Sequence, residues 1–230
     1  MRKTIIASLA LSCLLVAGCQ TTTTEVSDRD GAAPADSAAD SPKLNAEMRF
    51  AAGQLAESQG RVDTAIEQYQ ECLKLNPQHL GALYRLGVLN AQLKQYPEAI
   101  DAWTKYISAS GGSAFAYSNL GFCDELSGDP EAAETAYLHG IAKDPQNLPC
   151  RTNYGLLLAR KGRINEAIRQ WQFVLSPAEV HYNLGSVYQM QGRKEEARVE
   201  YQQALKLNGE FNDAKLRLAA LDDQEPAITP

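Results

Sequence analysis

The sequence predicts an all-α solenoid, a row of helix pairs in which each pair packs on the next. Three columns of residues carry that prediction. Glycines recur at Gly53, Gly87, Gly121, Gly155 and Gly185, spaced by 34, 34, 34 and 30 residues. Alanines at Ala65, Ala99, Ala133, Ala167 and Ala197 repeat the same four spacings. Four residues after each alanine stands an aromatic: Tyr69, Trp103, Tyr137, Trp171 and Tyr201. A period of this length belongs to a helix pair that buries too little surface to fold alone and gains a core by stacking on its neighbours.

Residues 114–145 show the unit most clearly. Two amphipathic segments meet at the turn Gly128-Asp129-Pro130. Small residues stand where the helices must approach, Gly121 on the first and Ala133 and Gly140 on the second. Tyr117, Leu120 and Tyr137 fill the space between them. Pro145 ends the second helix, because proline lacks an N–H and clashes with the preceding turn.

These residues resemble the tetratricopeptide repeat. First helices carry Leu86-Gly87, Leu120-Gly121, Tyr154-Gly155 and Leu184-Gly185; second helices carry Glu98-Ala99, Glu166-Ala167 and Glu196-Ala197; Pro77 and Pro145 close two units. The resemblance spans roughly residues 46–222 and implies a right-handed superhelix. It divides the chain into repeats at 44–79, 80–113, 114–147, 148–177 and 178–211, with residues 212–222 as a capping helix over the last apolar face. The fourth repeat is four residues short and ends at Ser176-Pro177, which predicts a second helix or loop trimmed by one turn. The second repeat ends in Ser110-Gly111-Gly112-Ser113 rather than proline, a looser junction.

The ends differ in composition. In residues 1–18, Arg2 and Lys3 precede an apolar run from Ile5 to Val16, too short for a membrane span and read as a signal peptide. Its end, Val16-Ala17-Gly18-Cys19, resembles the bacterial lipobox, which implies cleavage before Cys19 and acylation of its thiol. Two or three acyl chains anchor a protein stably where one does not. Gln20 follows, and under the proteobacterial sorting rule a residue other than Asp there implies the outer membrane, with the chain facing the periplasm. Residues 19–43 then read as the lipidated cysteine and a disordered tether rich in Thr, Ser, Ala and Asp, spanning roughly 25–30 Å as coil. Residues 223–230 form a similar polar tail.

The formal charge is −6, and loss of Arg2 and Lys3 makes it more negative, so a basic nucleic-acid footprint is absent. After processing three cysteines remain, Cys72, Cys123 and Cys150. Cys72 falls in a small-residue column of the core; Cys123 and Cys150 lie on adjacent first helices, and a disulfide between them is left open. No Cys/His cluster predicts a metal. His79, His139 and His181 fall in different repeat registers, and no phosphate loop, G-x-S-x-G or H-E-x-x-H is present. Glu131, Glu195 and Glu196 stand at second-helix starts, where acids complement the helix dipole. The chain is therefore expected to be no enzyme, with no cofactor and no small-molecule substrate.

In tetratricopeptide superhelices the first helices line the concave face. That register implies a peptide-binding groove of Tyr84, Arg85, Val88 and Gln92, then Ser118, Asn119, Phe122 and Glu125, then Thr152, Asn153, Leu156 and Arg160, then Tyr182, Asn183, Ser186 and Gln189. Within it Asn119, Asn153 and Asn183 form a column, with Arg85 in the same place one repeat earlier. It resembles the asparagine ladder of the O-linked sugar-transferase superhelix, which holds a peptide backbone. A carboxamide offers one acceptor and two donors and so grips a peptide unit without reading its side chain.

The layout of lipobox, polar tether and repeats resembles pilus-assembly lipoproteins of the tight-adherence (Flp) and type IV systems, the shortened fourth repeat being more like the first. The implied function is a lipid-anchored envelope scaffold that binds a protein partner as an extended segment or helix. Delivery of substrates to a periplasmic peptidase and a homo-oligomeric structural role are the alternatives. The oligomeric state stays open.

Overall fold

The computed structural model describes residues 45–222, so the leader, Cys19, the tether and the tail lie outside the described residues. Every element described is helical: α1 (Ala46–Ser58), α2 (Val62–Leu75), α3 (Leu80–Gln92), α4 (Tyr96–Ser110), α5 (Ala114–Ser127), α6 (Pro130–Lys143), α7 (Leu148–Arg160), α8 (Ile164–Gln172), α9 (Pro177–Met190), α10 (Lys194–Leu207) and α11 (Asn212–Asp222). Helices pair in order as hairpins, α1 with α2 through α9 with α10, and α11 packs on α10.

The local signals explain each boundary. Every first helix has a side-chain N-cap: Asn45, His79, Ser113, Asn147 and Ser176 accept from the backbone N–H three residues on. His79 does this with its imidazole Nδ1, 3.1 Å from the Ala82 nitrogen. Ser176 and Glu179 form a reciprocal capping box, which restarts the chain after the shortened repeat. Each first helix then ends at a residue with positive φ: Gly60, Lys94, Gly128, Gly162 and Gly192. The next N–H turns back to the helix, as in Arg61 to the Ala56 carbonyl at 2.9 Å and Gln95 to the Asn90 carbonyl at 2.8 Å. This left-handed cap satisfies carbonyls that the helix end would leave orphaned. Lys94 alone occupies it with a side chain.

The glycine and aromatic columns meet inside each hairpin. A methyl group on Gly121 would lie 2.8 Å from the Tyr137 ring and 3.0 Å from the Ala133 carbonyl oxygen. The other four glycines lie equally close to Tyr69, Trp103, Trp171 and Tyr201. All five rings are fully buried. The ring on the second helix therefore occupies the volume that the missing side chain vacates, and this close approach is what the glycine column encodes.

The four-residue deletion falls in the second helix of the fourth pair. Helix α8 has 9 residues where α6 and α10 have 14. Arg151 closes the gap, its guanidinium donating to the Pro145 carbonyl and to Gln170 and lying 3.8 Å over the Phe173 ring. Cys72, Cys123 and Cys150 are free and buried, and Cys150 donates to the Ala114 carbonyl across the α5–α7 contact. The open question of a Cys123–Cys150 disulfide is thus answered: the two thiols are not joined.

Candidate binding groove

The hairpins do not stack symmetrically. First helices touch across repeats, α5 on α7 and α7 on α9, while no two second helices pack to the same degree. First helices therefore form the inner, closer-spaced face and second helices splay on the outer one.

The core aromatics reach this inner face through their polar tips, and they do so in two alternating ways. The Tyr69 hydroxyl donates to Glu57 at 2.9 Å, the Tyr137 hydroxyl to Glu125 at 3.4 Å, and the Tyr201 hydroxyl to Gln189 at 2.8 Å. Where the aromatic is tryptophan, the position twelve residues earlier is Ala91 or Ala159. The Trp171 indole N–H donates instead to the Thr152 carbonyl at 3.1 Å, and the Trp103 N–H is buried without a partner. A phenol needs an acceptor at its tip; the larger indole needs room.

The two groove acids are neutralised from the next first helix. Glu57 pairs with Arg85, and Glu125 pairs with Arg160. Burial lowers the proton affinity of both guanidiniums. Each cation is committed to its acid, so Arg85 and Arg160 brace the superhelix rather than offer free charge to a ligand. Asn119 donates to the Phe115 carbonyl of its own helix at 2.8 Å, and Asn153 reaches the Ser118 hydroxyl at 3.5 Å. Asn183 is half-buried and makes no hydrogen bond to the described residues.

Between these ion pairs lies an apolar strip. Phe122 and Leu126 on α5 are 39% and 44% exposed, and Phe115 at the start of α5 is 45% exposed. Tyr84, Val88 and Leu156 are half-buried beside them, and the Tyr84 and Phe115 ring centres are 6.1 Å apart. Gln92 is exposed at the α3 end; Thr152 and Ser186 are half-buried. The Thr152 hydroxyl is buried without a partner, and Ser186 donates to the Tyr182 carbonyl at 3.0 Å.

Two expected groove residues do not present a contact surface. Tyr182 is buried, its ring packed 5.0 Å from Phe211 at the α11 junction and 5.7 Å from Tyr201. Ser118 is buried at the α5–α7 contact. In the last repeat the capping helix draws the ring inward; in the third the serine is too small to stand clear of its neighbours. Phe115 and Leu126 were not singled out from sequence, though their periodicity with Phe122 along α5 is visible there.

The histidines are absorbed by the scaffold or lie apart from the groove. His181 Nδ1 lies 2.6 Å from Glu200, 19 residues on, the separation that also joins Arg49 to Gln68 and Arg151 to Gln170. His139 is exposed on α6, edge-on to Tyr117. Among the described residues no cluster of side chains with metal-binding composition occurs, and no helix is long and apolar enough to cross a membrane.

Family models described as tetratricopeptide repeat match residues 29–79, 50–114 and 178–211, together a little over half of the chain. Among solved structures, a MamA protein superposes with TM-score 0.61 at 23% identity, over 80% of this chain and 98% of that one. YrrB, described as a TPR protein with an unusual peptide-binding site, gives TM-score 0.59 at 22% identity, over 76% of this chain and 93% of YrrB. Likeness at these identities shows the fold. The general transcriptional corepressor ssn6 of Schizosaccharomyces pombe is 27% identical over 121 residues, 52% of this chain and 11% of that protein. The chain spans about a tenth of the length of the curated relatives it matches.

Proposed function

The chain belongs to the tetratricopeptide-repeat family, and on that premise we propose that it is a non-enzymatic scaffold holding a segment of a protein partner along its inner groove. The observation that carries this reading is the apolar strip of Phe115, Phe122 and Leu126, exposed between ion pairs that neutralise themselves. Large apolar side chains left open in a concave face gain free energy when a partner covers them. Because the flanking charges are committed, the fitting segment is an uncharged one with large apolar side chains. Asn183, with its amide unpartnered, and the outward edges of Asn119 and Asn153 would hold its backbone.

We further propose that the scaffold is tethered by lipid on Cys19 to a bacterial outer membrane and faces the periplasm. Its task there is to organise an envelope assembly, in the manner of the pilus lipoproteins it resembles. The support is the sequence Val16-Ala17-Gly18-Cys19-Gln20 and the polar stretch before the repeats.

The test is crosslinking in the native host, followed by membrane pull-down and mass spectrometry of the protein and its partners. The expected result is an acylated Cys19 and recovery of secretin or pilus components, lost when Phe122 and Leu126 are both changed to Glu while the melting temperature holds. Recovery of a peptidase with its substrates would replace assembly by substrate delivery. Recovery from the soluble fraction with an unmodified Cys19 would remove the membrane anchor. Replacing Asn119, Asn153 and Asn183 together by Ala should weaken partner binding with the fold intact; unchanged affinity would leave the ladder without a role.

A further inference from the structure

The splayed outer face has a feature that the groove does not explain. Between α2 and α4, above α3, lies a cleft of about 570 Å³. Its apolar lining comes from Leu73 on α2, Leu83 and Leu86 on α3, and Ala102 on α4, and polar side chains complete it. Asn90 lines it and is only 4% exposed, yet its carboxamide makes no hydrogen bond to the described residues. The carboxamide is not among the buried polar atoms left without a partner, so its edge is open to solvent in the cleft. The fold does not demand an asparagine there, since the same column holds Ala56, Asp124, Leu158 and Tyr188 in the other repeats.

The rim is charged, and its charges are mostly spent. Lys105 pairs with Asp101 at 2.7 Å, and Lys74 pairs with Glu71 at 2.5 Å. Glu98, in the first turn of α4, has no partner among the described residues. The cleft thus presents an apolar trough, one unpartnered carboxamide within it and one unpartnered carboxylate at its lip.

We propose that this outer cleft is a second docking site, which takes a short protein segment carrying an apolar side chain next to Lys or Arg. The apolar side chain fills the trough between α2 and α4. The adjacent peptide unit bonds to Asn90, whose acceptor and two donors match a backbone amide. The basic side chain pairs with Glu98. The site lies on the face opposite the groove, so one scaffold engages two segments at once.

The probe is the capped peptide acetyl-Gly-Leu-Lys-Gly-amide, titrated into isotopically labelled full-length chain in detergent and followed by NMR. The expected result is a saturable shift of the Asn90 side-chain amide and of Leu73, Leu83 and Ala102 below about 10 mM peptide. Glu98→Gln should weaken binding about two- to fivefold, the range of an exposed ion pair, and leave the spectrum of the free protein otherwise intact. The peptide with Glu in place of Lys should bind more weakly than either. Asn90→Leu should abolish the cleft shifts while keeping the melting temperature, because Leu158 fills the same position in the fourth repeat. No saturable shift, equal binding of the Lys and Glu peptides, or shifts at Phe122 and Leu156 instead of the cleft would overturn the proposal. None of those results bears on the groove, whose partner is tested separately.

Discussion

Asp124 is the residue whose replacement should most clearly separate burial from charge. It lies near the C-terminal end of α5 and is 7% exposed. Burial raises its carboxyl from 3.8 to about 6, and the nearby Asp129 adds to the shift. The negative end of the α5 dipole acts in the same direction. A folded-state value above the unfolded one means that the proton is held more tightly in the fold. The associated stability is fully present below pH 3.8 and is lost as pH rises through 6. A shift of this size corresponds to about 3 kcal/mol against the ionised form at neutral pH. Asp124→Asn removes the charge and keeps the shape. The repeat before supplies the precedent, with Asn90 in the same column and 4% exposed. Thermal unfolding of both proteins, followed through Trp103 and Trp171 fluorescence, should show the variant more stable at pH 7.5 by about 2–3 kcal/mol, or about 5–10 °C. At pH 4 the gap should nearly close, and other titrating groups cancel in the difference. A gap that is the same at both pH values, or a variant less stable at pH 7.5, would refute the reasoning.

Three further predictions follow from the packing and the turns. Gly121→Ala should destabilise by about 1–2 kcal/mol, since overpacking against Tyr137 and the Ala133 carbonyl costs about 1–3 kcal/mol and better helix propensity returns up to about 1; a raised melting temperature would contradict the close approach. Lys94→Gly should stabilise by about 0.5–1 kcal/mol, because Lys94 sits at φ 61 where the equivalent residues of the other turns are glycines; the check is a higher urea midpoint at unchanged slope. Burial alone would raise the Glu134 carboxyl, but hydrogen bonds from Arg163, Tyr154 and Lys161 overcome it and hold the group at about 2. Its stabilisation is therefore present above pH 4.5 and lost as pH falls toward 2, so Glu134→Gln should cost about 2–3 kcal/mol at pH 7 and nothing near pH 2, as read by circular dichroism across an acid titration.

What could be read from the sequence was what repeats. The glycine, alanine and aromatic columns locate the helix pairs because each hairpin solves the same packing problem, a ring set against a missing side chain. The apolar floor of the groove followed from the register at Phe122 and Leu156. What could not be read was how polar side chains share partners across repeats. Arg85 and Arg160 occupy different positions on their helices, yet each is taken up by an acid from the preceding repeat. That depends on the reach of a long side chain and not on a spacing. Tyr182 has the register of a groove residue and is drawn into the core by Phe211, a contact made only because α11 follows. His79 gives no sequence signal as a cap, since imidazole seldom replaces Ser, Thr, Asp or Asn there.

The alternation of tyrosine and tryptophan links the core to the binding surface. A buried tyrosine hydroxyl must find an acceptor, and the geometry of the hairpin places that acceptor twelve residues earlier, on the groove-lining helix. In the first and third repeats it is an acid, Glu57 or Glu125, and an arginine from the following first helix then compensates it. In the fifth it is Gln189, which is neutral, and the helix that follows is α11. The tryptophan repeats need no such acceptor and place Ala91 and Ala159 there. The groove charges are thus set by the choice of core aromatic, and they arrive already paired. On the proposed reading, that leaves recognition to the apolar strip between the pairs, and the pairing explains why a chain with a net charge of −6 can present an inner face without a free acid at either site. Exchanging Tyr137 for Trp without changing Glu125 to Ala would strand an acid beside an indole; making both changes would convert the third repeat to the second type and leave Arg160 as an uncompensated cation in the groove.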